Sequence, residues 1–528
     1  MDLLIRGGTV IDGTGKAGFS ADVAIKDGHV SEIGHFDPPA GACVLGATGC
    51  VVSPGFIDIH SHSDFTLLVD PRAVSSIAQG VTMEVVGNCG HGCAPIRNAE
   101  LVRSNIYGFD SDYGLRWNSM EGYLDCMEKA QPAVNVASLV PNGNLRLVAA
   151  GVVDRPSTPD EIAEMRRLLQ ESLDAGAIGY STGLEYSIER GCSEEEVQQL
   201  CQVTRERGGY YATHTRNLEE QPREAIAEAI RAAQTTGVSL QISHISVVAR
   251  LTHESRQAVE YALDQVDTAV RSGLDVAFDM HTRLFGTTNL SAVLPAWALE
   301  GGKAEIEKRL LANSVRNDMR HHPNIVAALA HGDWNRIVVF DSKALPEVSR
   351  RSIADIARER GTDPFDTIYD LLLAEIDHLH EVMVLAHVYH PNEIEPAFLH
   401  PLCMVGSDAT ALGPDGPLAN KFFHGAYTWA SWFWRHFVVE KSLLEPAEAV
   451  RRLTSLPARR LGLKGRGVLQ PGACADVIVF DPRQFAAQGT VFEPNQTAVG
   501  MRHVVVNGAL TLNNGVLTGV RSGQTLRL

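Results

Sequence analysis

His60 and His62, which are separated by one serine, are the residues of this sequence whose spacing most directly suggests chemistry. They follow an apolar run, 56–59, that is typical of a buried strand. On a strand, residues i and i+2 point to the same face, so both imidazoles would enter one space. Imidazoles paired in this way are good ligands for a transition metal. The alternative, two histidines on the polar face of a surface strand, is left open by the spacing alone.

Four other strand-like runs end in residues that also ligate metals or transfer protons. Their terminal residues are Cys89, His214, His244 and Asp408. A single histidine at a strand end is more often packed or hydrogen-bonded than a metal ligand. Four histidines, a thiol and a carboxylate at five such ends are difficult to explain as structural residues, so the pattern predicts one shared site.

The positioning elements are eight strand-like runs that alternate with helical stretches such as 159–175 and 221–236. This alternation predicts a parallel sheet, and eight strands are the number that closes a (β/α)8 TIM-like barrel of the α/β class. Functional groups in such a barrel lie at the C-terminal ends of the strands. The predicted strands are 56–62, 81–87, 135–140, 177–182, 210–214, 239–244, 274–279 and 402–408.

Both ends of the chain are rich in short apolar strands separated by glycine turns. Such ends must pair in space to bury their apolar faces, which predicts one small β-sandwich domain built from both termini. We expect domain limits at 1–53 and 465–528 for the two parts of this sandwich, with the barrel at 54–464. The interval 281–400 is longer than a crossover requires and predicts an inserted subdomain over the barrel mouth.

The composition restricts the class of partner. The chain has 528 residues and a net charge of −17, which argues against nucleic acid or an anionic membrane surface. We find neither an apolar run of about 20 residues that would span a membrane nor the pattern of a signal peptide. Nine cysteines without regular spacing suggest reduced thiols and a cytoplasmic protein. The oligomeric state is left open, a homo-oligomer included.

Beyond single residues, several longer motifs can be compared with a known family. They resemble, in order, the motifs of the N-acyl-D-amino-acid deacylase (D-aminoacylase) family of the amidohydrolase superfamily. The resemblance covers nearly the whole chain, including both β-rich ends. The segments that carry it are 54–64, 79–90, 179–186, 211–216, 241–244 and 406–408.

The resemblance implies a zinc enzyme. In this family a cysteine ligates the metal where many relatives use a carboxylated lysine, so Cys89 would take that role. A tight zinc would be bound by Cys89, His214 and His244. A second, weaker metal position would be formed by His60, His62 and Asp408.

Three side chains are candidates for the chemistry itself. Asp408 is suited to accept a proton from a metal-activated water and to deliver it to the departing amine. Tyr186 and His281 are candidates to stabilise the oxyanion or to orient the acyl group. A tyrosine near a strand end is as often a packing residue, so that alternative stays open.

The residues that would recognise the substrate depart from the family pattern. The family usually has a lysine shortly after the histidine at position 244, but 245–250 contains none. Residues 279–283 read Asp-Met-His-Thr-Arg where the family commonly has Asp-Gln-Tyr-Pro-Tyr. Arg283, Arg216 or Arg250 could supply a guanidinium for a substrate carboxylate, since its planar fork suits that group. Each could equally be a structural or surface arginine.

An aromatic loop follows the last predicted barrel strand. Its glycines and prolines, at 412–425, predict a loop that lines the mouth. We expect most of its aromatic residues to pack in the following helix. One or two that face the pocket would favour a larger apolar or aromatic substrate. The aromatic residues are Phe422, Phe423, Trp429, Trp432 and Trp434.

Taken together, the sequence predicts a zinc-dependent hydrolase of linear amides, acting on N-acyl-D-amino acids or related N-acyl amines. One alternative is a hydrolase of cyclic amides, like hydantoinase or dihydroorotase, or of xenobiotic amides. A zinc-stabilised barrel scaffold without activity is the alternative outside the enzymes. The acyl group and the stereochemical preference are left open.

Overall fold

The N-terminal part of the chain is a set of short strands in a mixed sheet. The structure, a computed structural model, describes residues 2–38, 41–108, 113–216, 222–245, 253–387, 389 and 391–527. Strand β1 pairs antiparallel with β2 and parallel with β4 and β5. The strands are β1 (Leu3–Val10), β2 (Phe19–Lys26), β3 (His29–Gly34), β4 (Cys43–Gly46) and β5 (Val51–Pro54).

The next seven strands are parallel neighbours in an eight-stranded barrel sheet. Their inward side chains, which include Ile57, Met83, Leu139 and Ala277, form the apolar interior below the mouth. The strands are β6 (Phe56–Asp58), β7 (Val81–Val86), β8 (Asn135–Pro141), β9 (Gly179–Gly183), β10 (Tyr210–His214), β11 (Ser239–Ile242) and β12 (Val276–His281).

Helices connect these strands on the outside of the barrel. Helix α6 shows how the sequence starts them: Thr158 and Glu161 form a reciprocal capping box, and Pro159 occupies the first helical position. The helices are α1 (Thr66–Val69), α2 (Val74–Ile77), α3 (Ala99–Val102), α4 (Met120–Ala130), α5 (Asn142–Ala149), α6 (Pro159–Asp174), α7 (Glu194–Glu206), α8 (Pro222–Thr236) and α9 (His253–Arg271). A short 3-10 turn covers Arg103–Asn105.

A subdomain with its own apolar core is inserted after β12. Its antiparallel sheet contains β13 (Gly286–Asn289), β14 (Ile337–Val339) and β15 (Met383–Ala386). Its helices are α10 (Lys303–Leu311), α11 (Asn313–Arg320), α12 (Ile325–Ala330), α13 (Ile353–Arg360) and α14 (Pro364–Ala374), with 3-10 turns at Leu290–Val293, Ala296–Leu299, Pro346–Val348 and Ile376–His378. The chain then returns to the barrel through α15 (Pro391–Leu399), which packs against α9.

The eighth barrel strand, β16 (Cys403–Gly406), pairs with β12 on one side. On the other side, the segment after β16 closes the barrel against the segment after β6. The Asp408 amide donates to the His60 carbonyl at 2.8 Å, and the His62 amide donates to the Ala409 carbonyl at 2.8 Å. A 3-10 turn (Gly416–Leu418), helix α16 (Trp429–Phe433), a π-helical turn (Trp434–Glu440), α17 (Pro446–Leu453) and α18 (Ser455–Arg460) follow.

Four C-terminal strands complete the first sheet. Strand β17 pairs antiparallel with β5, which joins the two ends of the chain into one nine-stranded sheet. A bridge between His29 and Cys474 brings the edge strand β3 back towards β17. The strands are β17 (Val477–Phe480), β18 (Met501–Val506), β19 (Ala509–Asn513) and β20 (Val516–Leu517).

This architecture confirms the predicted fold class, a (β/α)8 barrel with a small β domain formed by both termini. All eight predicted barrel strands are present. The first is shorter than the predicted 56–62, because residues after Asp58 turn away to bond the segment after β16. The domain limits 1–53, 54–464 and 465–528 stay a prediction. Among the described residues, no helix is both long and apolar enough to cross a membrane.

Candidate active site

The six predicted metal ligands lie together at the C-terminal rim of the barrel. Nδ1 of His214 lies 3.0 Å from Nε2 of His244, and Nε2 of His62 lies 3.1 Å from Oδ1 of Asp408. Four of the six offer ligand atoms that all lie within 4.8 Å of one another: His60, Cys89, His244 and Asp408. The strand ends therefore place one continuous cluster of nitrogen, sulfur and oxygen donors in a single space.

Cys89 lies in the middle of this cluster. Its Sγ is 3.2 Å from Nε2 of His60 and 3.6 Å from Nε2 of His244. It therefore touches residues of both predicted metal positions. Burial raises the pKa of the Cys89 thiol to about 11, although the neighbouring His60 opposes the rise. The side chain is consequently a neutral thiol at pH 7 until a metal ion displaces its proton.

Two of the surrounding imidazoles, those of His62 and His244, are suited to metal binding because they are neutral. Burial lowers the pKa of His244 to about 3, and the nearby His214 adds to this effect. Burial also lowers the pKa of His62, although Asp408 opposes the decrease. Burial would lower the pKa of His60 as well, but Cys89 and Asp279 outweigh burial and raise it well above its usual value. Neutral imidazoles, a thiol and a carboxylate form the donor set that zinc prefers, so the residues present fit this metal.

Two further carboxylates orient the ligand histidines. Asp279 Oδ1 lies 3.0 Å from Nδ1 of His60 and accepts the backbone amide of His244 at 2.8 Å. Glu185 Oε2 lies 3.1 Å from Nε2 of His214. A carboxylate on the remote ring nitrogen fixes the tautomer and direction of a ligating histidine. Our sequence interpretation missed both roles, although each acidic residue lies in or just after a barrel strand.

Three residues of the cluster have left-handed backbone conformations. The φ angles of Cys89, His244 and Asp408 are 53°, 29° and 45°. For residues other than glycine, such a conformation costs on the order of 1–3 kcal/mol each and persists only where surrounding contacts enforce it. The enforcing contacts are present: the amide of His244 bonds Asp279, and the amide of Asp408 bonds the His60 carbonyl. The strand ends are thus bent where they present the donor side chains.

The buried carboxyl group of Asp58 lies below the cluster and connects the first barrel strand to the segment after the eighth. Asp58 Oδ1 accepts the backbone amides of Ser407 at 2.9 Å and of His60 at 3.2 Å. Burial and then the neighbouring Glu84 raise the pKa of Asp58 to about 8. This carboxyl group consequently carries a proton at neutral pH and fixes the backbone on both sides of the site.

Asp408 is held by an arginine from the neighbouring strand end. Burial alone would raise the pKa of Asp408, but the Arg283 guanidinium and the hydrogen bond with His62 hold it well below its usual value. Arg283 Nη2 donates to Oδ2 of Asp408, and Nη1 donates to the carbonyls of Ser407 at 3.0 Å and His424 at 2.6 Å. The guanidinium predicted to bind a substrate carboxylate is thus engaged by protein acceptors.

Tyr186 and His281 border the cavity above the cluster, and their roles toward the substrate stay a prediction. The Tyr186 ring lies 4.8 Å from that of His214, and the His281 ring lies 6.0 Å from that of His244. Tyr107, which the sequence interpretation missed, hydrogen-bonds Tyr186 and lies 4.7 Å from the His62 ring. The sequence around Tyr107 matches no motif, so its place beside the site could be recognised only in the folded chain.

Arg216 is not part of this cluster. Arg216 donates to Glu228 and to the carbonyls of Arg190 at 2.7 Å and Cys192 at 2.9 Å, which indicates a structural role. Arg250 lies outside the described residues. The assignment of any arginine to the substrate remains a prediction.

The aromatic loop divides between the mouth and the core. Phe423 borders the cavity beside Tyr107, with ring centroids 5.6 Å apart, and Phe422 is 44% exposed nearby. Trp429 and Trp434 are buried in the helical segment that follows. Two aromatic residues therefore face the mouth while others pack in the core, as the sequence predicted.

Comparisons with known proteins agree with this geometry. Residues 44–512 match the model of the amidohydrolase family. The chain is 30% identical to the D-aminoacylase of Alcaligenes xylosoxydans xylosoxydans over 99% of this chain and 97% of that protein. It is 31% identical to the N-acyl-D-glutamate deacylase of the same organism, over 96% and 93%.

One solved structure is informative about the site. The N-acyl-D-glutamate deacylase of Bordetella bronchiseptica, in complex with zinc and a phosphonate that mimics the tetrahedral intermediate, superimposes with a TM-score of 0.82. The two chains are 30% identical, and the similarity covers 100% of each. The fold of this chain is therefore that of a deacylase that binds zinc.

Proposed function

This chain belongs to the amidohydrolase family, and from that premise we propose that it hydrolyses linear amides as a zinc-dependent enzyme. Its substrates are N-acyl-D-amino acids or related N-acyl amines, the class on which its relatives act. The observation that carries the proposal is the convergence of His60, Cys89, His244 and Asp408, from four distant strand ends, within 4.8 Å.

The metal ligands follow from the donor atoms. We assign the tight zinc to Cys89, His214 and His244, and a second, weaker position to His60, His62 and Asp408. When bound, zinc supplies a water of lowered pKa and a Lewis acid for the amide carbonyl. Asp279 and Glu185 hold the remote nitrogens of two of these histidines, which keeps their lone pairs directed into the site.

Asp408 moves the proton. Its Oδ1 and Oδ2 face His62 and Arg283, so the carboxylate is fixed at the rim and ionised at neutral pH. In this position it accepts the proton of the attacking water and returns it to the departing amine nitrogen. A side chain that accepts the proton and later delivers it must stay within hydrogen-bond distance of both the water and the amine. The fixed position of Asp408 at the cluster favours this.

Tyr186 and His281 meet the reacting carbonyl from the cavity side. Burial raises the pKa of Tyr186 well above its usual value, so its hydroxyl keeps its proton and can donate to an oxyanion. Burial and the nearby Arg283 lower the pKa of His281 well below its usual value. A neutral imidazole there can orient the acyl group without adding charge to the cavity.

A reducing compartment suits this site. All nine cysteines are free thiols in the structure, and the central one is a proposed metal ligand that oxidation would inactivate. This supports the proposal that the enzyme works in the cytoplasm.

The test is an assay of zinc-loaded protein on matched N-acetyl-D- and N-acetyl-L-amino acids, acetanilide and a hydantoin. The proposal expects hydrolysis of the linear amides, which Asp408→Asn abolishes. Turnover confined to the hydantoin would assign the chain to the cyclic-amide alternative. Zinc binding without turnover of any amide would favour the scaffold alternative.

A further inference from the structure

A groove lies beside the catalytic cavity, between the barrel mouth and the inserted subdomain. Its volume is about 280 Å³, close to the lower limit of ~300 Å³ for small-molecule sites. Tyr107 and Phe423 line both the groove and the catalytic cavity, so the two spaces adjoin at this pair of rings. A substrate that reacts in the cavity would reach the groove by passing these two rings.

Much of the groove wall is apolar. Several of its aliphatic side chains belong to the core of the inserted subdomain and show one edge to the groove, while others come from the barrel loops. Surface of this kind favours ligands whose methylene groups leave water on binding. Residues of this wall include Ile106, Leu299, Ile306, Ile376, Leu379 and Leu412.

The charges in the groove balance in number, and three of the four basic side chains contact carboxylates of the groove. Four basic and four acidic side chains line it. Lys303 bonds Asp377, while Glu381 accepts from Lys343 at 2.7 Å and from Lys421 at 3.3 Å. Each of these three lysines contacts a carboxylate of one short segment, and Glu381 is shared by two of them. The groove is therefore a poor site for a carboxylate and a better one for an uncharged chain.

We propose that this groove binds the acyl chain of the substrate, so that the enzyme prefers amides with a medium or long aliphatic acyl group. The inference rests on the proposed amide hydrolysis and adds the class of acyl group to it. An N-acyl amino acid carries its charge on the amine side, so the acyl side is the part that suits an apolar, charge-balanced groove. Tyr107 and Phe423 guide the first carbons of the chain out of the cavity.

The test compares acyl chains of different length on one amine. Zinc-loaded enzyme is assayed with N-acetyl-, N-hexanoyl- and N-decanoyl-D-leucine. Because each buried methylene strengthens binding, kcat/KM should rise by at least about 30-fold from acetyl to decanoyl. A kcat/KM that is flat or falls with chain length overturns the proposal.

Two matched variants locate the effect. Ile376 lines the groove, whereas Val315 packs on the same subdomain core and is not among the residues that line it. Both side chains are partly exposed, so Ile376→Asp and Val315→Asp make similar demands on folding. Ile376→Asp should reduce the decanoyl-to-acetyl ratio at least about 10-fold while N-acetyl turnover is kept, and Val315→Asp should leave the ratio unchanged. Equal ratios in both variants contradict the proposal.

A binding measurement separates this inference from the proposed function. Equilibrium dialysis with decanoyl-N-methylglucamide, below its critical micelle concentration, measures occupation of the groove without turnover. Binding that Ile376→Asp weakens and Val315→Asp preserves supports the groove even if no N-acyl-D-leucine is hydrolysed, in which case only the proposed substrate is wrong. Hydrolysis of N-acetyl-D-leucine without any such binding overturns the groove and leaves the proposed function intact.

Discussion

Arg283 and Asp408 form a partly buried ion pair at the rim of the barrel, although they lie 125 positions apart in the chain. The Nη1 atom of the same guanidinium donates to the carbonyls of Ser407, Asp408 and His424. Arg283 therefore fixes both the carboxylate and the backbone of the segment that carries it. The arrangement predicts that Arg283 acts through Asp408 and not through the substrate.

Replacement of Asp408 by asparagine should remove the proton carrier and retain most of the site. We expect kcat to fall by at least 10²-fold, a size typical of the loss of a general base. The tight zinc, which Asp408 does not ligate, should remain, so metal content measured by elemental analysis after dialysis should be largely unchanged. Full activity in this variant would reject the assigned role.

Arg283→Met should lower kcat at least about 10-fold while KM changes by less than about 3-fold, because the lost contacts position Asp408. Arg283→Lys keeps the charge and should retain more of the activity. Steady-state kinetics on one N-acyl-D-amino acid distinguishes this positioning role from the binding of a substrate carboxylate, which the sequence suggested for Arg283. A large rise of KM at unchanged kcat would show that Arg283 binds the substrate carboxylate.

Cys89→Ala should lose the tight zinc. The thiol lies in contact distance of His60 and His244, so its removal takes a donor from the centre of the cluster. Elemental analysis after dialysis measures the effect. Cys93→Ala is the matched control, since Cys93 is also a buried cysteine and belongs to the apolar core. Equal zinc in the two variants would contradict the assignment.

Zinc uptake should release about one proton per metal ion at pH 7, because only the thiolate ligates and the pKa of Cys89 without metal is about 11. Since protons compete for the thiolate at every pH below this value, zinc affinity should increase with pH. Calorimetric titration in buffers of different ionisation enthalpy measures the released proton. Zinc uptake without proton release would mean that Cys89 is not a zinc ligand.

Glu185→Gln should weaken zinc binding about 10- to 100-fold, since the carboxylate fixes the remote nitrogen of a ligating histidine. Glu189→Gln is the matched control. Glu189 is also buried nearby but accepts from Asn142 and the Gly183 amide, both at 2.9 Å, in place of a ligand histidine. Competition with a chelator compares the two zinc affinities. Equal losses in both variants would indicate a general effect of burial and not a role in orienting His214.

The sequence by itself determined the kind of fold and the kind of chemistry. Strand and helix periodicity depends on neighbours along the chain, so the eight barrel strands could be found before their contacts were known. Donor atoms are properties of residue types, and strand ends meet at one rim in a closed barrel. His60, Cys89, His214 and His244 could therefore be assigned to one site from their positions alone.

The tertiary structure decided how these groups are aimed and what surrounds them. The left-handed conformations of His244 and Asp408 persist because contacts from other strands enforce them, and no local pattern encodes such contacts. No local pattern encodes the hydrogen bond between Asp279 and His60 or the ion pair between Arg283 and Asp408 either. Hydrogen bonds and ion pairs between residues far apart in the chain depend on packing, which is why the partner of Arg283 became visible only in the folded protein.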